Sequence, residues 1–144
     1  MKQDTTRSLS KALQKIKDNK EGEAFIRDNS STGTFHSYLN GLMAELDVTV
    51  PELIEHSGVS RNYIYNILSG ERGNPGRDKV IAICIGLGAS FSQTNRALEL
   101  VKHSALYPKD ERDARIAIAI NQGLRSVTEV NLMLESNGLN PLDV

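Results

Sequence analysis

Between Thr49 and Gly70 the chain reads TVPELIEHSGVSRNYIYNILSG, a stretch that leaves its backbone few choices. Thr49 followed by Glu52 makes a capping box, and Pro51 falls in the first helical turn, where its missing N–H does no harm. Leu53 and Ile54 give this helix an apolar side. Ser57-Gly58 ends it, glycine being the residue that most readily takes positive φ. Val59 plugs the corner. Ser60 then caps a second helix, in which Ile64, Ile67 and Leu68 fall at i, i+3 and i+4 and face inward. Arg61, Asn62, Tyr65 and Asn66 are left on the outward side. Two short helices about a tight glycine turn, the second showing Arg, Asn and Tyr, have the shape that reads a DNA major groove.

The same residues carry a family likeness. The stretch closely resembles the helix-turn-helix of lambda-repressor/Cro-like (XRE-type) DNA-binding proteins. Leu53, Gly58, Val59, Ile64 and Ile67 match the family's packing positions, joined by the Ser57–Arg61 run SGVSR and the closing Ser69-Gly70. The resemblance implies an all-α, five-helix domain over roughly residues 34–103, and homodimers that bind double-stranded DNA at palindromic sites. Two positions depart from the pattern. Val50 stands where the family often has a Gln that braces a phosphate, and Ile54 where a small residue, usually Ala, lets the helices approach.

Size and composition bound the alternatives. A chain of 144 residues suits one domain with appendages. It has no apolar run near the ~18 residues of a membrane span and no apolar signal core, so a cytoplasmic location is expected. The single cysteine, Cys84, sits in IAICIGLG and reads as a small core residue in a reducing compartment. Net charge is −1, but it is unevenly spread. Residues 1–27 hold seven Lys/Arg against four Asp/Glu, and the remainder ten against fourteen. Arg61, Arg72, Arg77 and Lys79 face only Glu71 and Asp78 around the second motif helix, giving a modestly positive local face and few phosphate contacts.

Along the chain, residues 1–33 read as a basic amphipathic helix and a polar linker. Leu9, Ala12, Leu13 and Ile16 fall at helical spacing over Ser8–Lys20, a helix that can continue in broken form to Phe25-Ile26-Arg27. This is either a surface helix docked on the body or a basic arm reaching DNA or an acidic partner. Asp28–Thr34 is small and polar, hence a linker. Residues 34–106 form the body. Phe35, Leu39, Leu42, Met43 and Leu46 stripe its first helix, and the two motif helices follow. Glu71–Gly76 is a loop, Arg77–Leu87 is apolar almost all round and hence central, and Ser90 with Gln93 caps a helix running to about Ser104. Residues 107–144 read as a helical hairpin for packing or self-association. Asp110–Gln122 is its first helix, and Ser126 with Glu129 makes a capping box for its second, which Gly138 ends.

Arg61, Asn62, Tyr65 and Asn66 are therefore the expected base-contacting residues. Arg suits guanine O6/N7, Asn suits adenine N6/N7, and a Tyr ring suits a thymine methyl. Thr49, Ser60, Arg72, Asn74, Arg77 and Lys79 are expected at phosphates, where contacts set register without reading sequence. Tyr63 is assigned a structural role. His36, His56 and His103 lack ligand spacing, and no nucleophile elbow or phosphate-binding glycine loop occurs, so no metal, cofactor or catalysis is expected. The resulting expectation is a DNA-binding regulator acting by operator occupancy. The rival is a protein-interaction adaptor or antitoxin-like subunit that kept the fold, reduced DNA binding and docks a protein partner through the C-terminal hairpin.

Overall fold

The computed structural model of the chain describes residues 6–29 and 34–144, and every regular element among them is an α-helix. The chain divides into two compact units, residues 1–32 and 33–144. The first holds α1 (Thr6–Gln14) and α2 (Asn19–Asn29). The expected single helix over Ser8–Lys20 is thus split, because Asp18 Oδ1 accepts the Lys20 N–H and starts a new helix there. Leu9 and Ile16 are half-buried, while Leu13 stays 53% exposed. The expected linker overlaps the end of α2; its residues 30–33 lie outside the described residues.

The second unit holds α3 (Thr34–Leu46), α4 (Val50–Ser57), α5 (Arg61–Ser69), α6 (Arg77–Leu87), α7 (Phe91–Leu100), α8 (Glu111–Asn121) and α9 (Val127–Ser136). Local chemistry sets most of these ends. Thr49 and Glu52 cap α4 reciprocally, and Ser90 and Gln93 do the same for α7. The expected box at Ser126 and Glu129 does not form, since the Ser126 side chain makes no cap bond to α9. Helix α7 also stops earlier than expected. Lys102 turns to φ 64°, and the His103 N–H returns to the Leu98 carbonyl at 2.9 Å.

Helix α6 is the hub. Val80 through Leu87 are all buried, and α3, α4, α7 and α9 pack around it. Its closest neighbour is α4. A Cβ added to Gly86 would stand 3.0 Å from Ser57 Cβ and 3.1 Å from Leu53 Cδ1. The small pair Ser57–Gly86 therefore provides the close approach of α4 to α6, and Ile54 is half-buried at the core's edge.

The two hairpins α6–α7 and α8–α9 are written in one pattern. RDKVIAICIGLG at Arg77–Gly88 is matched by RDARIAIAINQG at Arg112–Gly123. Their bonds match as well. Leu106 N–H donates to Asn95 Oδ1 at 2.9 Å, and Leu142 N–H to Asn131 Oδ1 at 2.8 Å. Arg77 grips Asp113 and the carbonyls of Ser104 and Ala105. Arg112 grips Asp78 and the carbonyls of Asn140 and Pro141. Each Asp also receives a backbone N–H, Tyr107 on Asp113 and Asp143 on Asp78. The hairpins are joined by a reciprocal, pseudo-twofold set of contacts. Ile116, Ile120, Val127, Val130 and Leu134 are core residues of this one unit, leaving Ile118 and Leu132 exposed.

Candidate nucleic-acid interface

The corner between α4 and α5 is fixed from inside. Gly58 adopts φ 70°, and its N–H reaches the Ile54 carbonyl at 3.2 Å. Ser57, fully buried, accepts the Val59 N–H at 3.2 Å, and Ser60 Oγ accepts that of Tyr63 at 3.3 Å. Leu53, Val59, Ile64 and Ile67 lie in the core. The far end of α5 is tied down by two contacts that sequence patterning passes over. Asn40 Nδ2 donates to the Leu68 carbonyl at 2.9 Å, and the α5 C-cap Gly70, at φ 83°, lies against the His36 ring. A side chain at Gly70 would collide with that ring.

Arg61, Asn62 and Tyr65 are exposed on the outward face of α5, and Asn66 is half-buried beside them. Arg61 lies over the Tyr65 ring, 5.4 Å from its centroid. Asn66 continues into an open groove of about 250 Å³ that it lines with Glu71 and Arg72. The Arg72 N–H donates to the Asn66 carbonyl at 3.0 Å, which fastens the start of the following loop to the helix. The four residues expected to contact bases thus share one surface, with charged loop residues at its end.

The residues expected at phosphates are divided. Arg72 and Asn74 are exposed, Asn74 in a left-handed conformation with φ 53°. Ser60 and Thr49 use their hydroxyls as caps. The Thr49 hydroxyl also donates to Glu52 Oε1 at 2.9 Å, and its hydrogen bonds hold the Glu52 carboxyl below the usual range. A phosphate at Thr49 would meet that carboxylate. Arg77 departs furthest from expectation: its guanidinium turns away from the loop into the bidentate pair with Asp113, whose hydrogen bonds raise the Arg77 pKa further. Lys79 donates to the Val144 carbonyl at 3.1 Å and stands 5.0 Å from the Tyr63 ring centroid. Tyr63, given only a structural role from sequence, also carries Arg72 at 4.7 Å. The repeated Arg-Asp dipeptide was the available signal that Arg77 is a hairpin-joining residue.

No group of His, Cys, Asp and Glu suited to a metal ion occurs among the described residues, and no described helix is long and apolar enough to cross a membrane. Comparison with protein-family models, with curated proteins and with solved structures gives no match.

Proposed function

We propose that this protein is a sequence-specific regulator that docks α5 in the major groove of double-stranded DNA, with α3–α7 forming a lambda-repressor-like domain. The observation that supports it is the outward row Arg61, Asn62, Tyr65 and Asn66, held over buried Ile64 and Ile67 at the end of a glycine-tightened corner. Residues near a helix N-terminus reach base edges when such a helix docks, and each good bidentate pair discriminates by ~1–3 kcal/mol. Occupancy of an operator is the regulatory act. Homodimerisation through the hairpin would have to use exposed Ile118 and Leu132, because Val127, Val130 and Leu134 are already core.

The test is selection from a randomised duplex library at near-physiological salt. A recovered motif whose binding falls about tenfold or more in a folded Arg61→Ala variant is the expected result. A palindrome would add a two-copy complex, and a single half-site a monomeric one. One observation favours the adaptor reading instead: Arg77 is committed to Asp113 and Lys79 is shared with Val144, so few free cations surround α5. A folded protein that enriches no motif decides for that reading.

A further inference from the structure

Tyr63 stands at the third position of α5, half-buried against the core, and two cations from outside the helix share its ring. Arg72, from the loop after α5, lies 4.7 Å from the ring centroid, and Lys79, from the first turn of α6, lies 5.0 Å from it. The electron-rich face of the ring favours each cation. Tyr63 is the aromatic residue the two cations share. The loop between Glu71 and Gly76 is irregular, and the Arg72 guanidinium makes no ion pair among the described residues. Arg72 also lines the groove that begins at Asn66, so the paired charge borders the face proposed to enter DNA, with Glu71 as the one opposing charge in that groove. Beyond the ring, Lys79 is held by the carbonyl of Val144.

We infer that Tyr63 is a positioning residue for DNA-backbone recognition: its ring holds Arg72 and Lys79 together as a two-cation seat for one phosphate, in register with the recognition helix. This rests on the DNA-binding reading above. The ring is what matters, so Phe should replace Tyr and an aliphatic side chain should not.

The experiment measures binding of the full chain to a mixed-sequence duplex by fluorescence anisotropy over a range of salt concentrations. Wild type and Tyr63→Phe are expected to share one slope of log K against log salt. Tyr63→Leu should show a slope shallower by about one and affinity lower by about five- to tenfold at low salt, matching the Arg72→Ala/Lys79→Ala double variant. Adding Tyr63→Leu to that double variant should then change nothing. A Tyr63→Leu protein that is folded by circular dichroism yet keeps the wild-type slope overturns the inference, as does a Tyr63→Phe protein that loses it. A second measurement needs neither DNA nor a substitution. On titration of the wild-type protein with inorganic phosphate, the side-chain NMR resonances of Arg72 and Lys79 should move together, and no joint movement overturns the seat. If wild type ignores the duplex but shows the joint shift, the DNA reading fails and the two-cation seat stands. If neither probe has an effect, both fail.

Discussion

Arg77 and Asp113 face each other in a bidentate pair, Nη1 to Oδ1 at 3.0 Å and Nη2 to Oδ2 at 2.7 Å, with Asp113 only 5% exposed. The pair joins the first turn of α6 to the first turn of α8, and Asp78 with Arg112 makes the same connection in the opposite sense. It decides two functional questions. It removes Arg77 from the residues free to meet phosphate, and it makes the C-terminal hairpin part of the same folded unit as the α4–α5 corner.

Removing one member of this pair leaves the other's charge half-buried and unmatched. Asp113→Ala is expected to cost about 3 kcal/mol, read from urea unfolding curves. Arg77→Ala should cost a similar amount, and the double variant much less than the sum. Additive losses would mean that the two side chains act independently.

The same pairs set the response to acid. Burial alone would raise the Asp78 and Asp113 carboxyls, but the arginine hydrogen bonds and the N–H groups of Asp143 and Tyr107 outweigh it and hold both below their ordinary 3.8. The folded state therefore binds fewer protons than the unfolded chain just below that value. Their contribution is fully present above about pH 4 and drains away as pH falls through the depressed folded pKa values. Urea midpoints of Asp78→Asn and Asp113→Asn proteins should lose less than wild type between about pH 4 and 2.

Gly86 sets the spacing of α4 on α6. Gly86→Ala would place a methyl 3.1 Å from the Ser57 backbone nitrogen, which cannot rotate away. The expected loss is about 1–3 kcal/mol, and under the proposed DNA-binding reading the selected duplex should bind more weakly because the corner shifts with α4. Calorimetry and the selected duplex measure the two effects.

Caps that look alike in sequence should behave differently. Ser90→Ala removes the hydroxyl that accepts the Gln93 N–H in a formed capping box and should cost about 1 kcal/mol. Ser126→Ala removes no cap bond and should stay within about 0.5 kcal/mol of wild type by the same unfolding measurement.

Cys84 is fully buried, and burial pushes its thiol up to about 12, partly opposed by Thr94. A thiol reagent at mildly alkaline pH should leave it unmodified in the native protein and label it at the rate of unfolding. Rapid labelling of folded protein would mean that α6 opens locally.

Most of the helices are legible in the chain because their causes lie within a few residues. Thr49 and Glu52 cap α4, Gly58 supplies the one backbone conformation the corner needs, and Val80–Leu87 can only be a buried helix. The outward row on α5 follows from the same periodicity, as the positions left over once Ile64 and Ile67 turn inward. The direction of a long cation does not follow in this way. Arg77 looks like a loop-edge phosphate ligand until Asp113, 36 residues away, claims it. Tyr63 looks like filler until folding brings Arg72 and Lys79 to its ring. Ser126 and Glu129 have capping-box spacing, yet the turn before α9 leaves the serine without a cap bond. Backbone preference and hydrophobic period are local quantities, so a few neighbouring residues are enough to fix them. Which partner a charged or aromatic side chain meets depends on distances between residues far apart in the chain, and those are set when the helices pack.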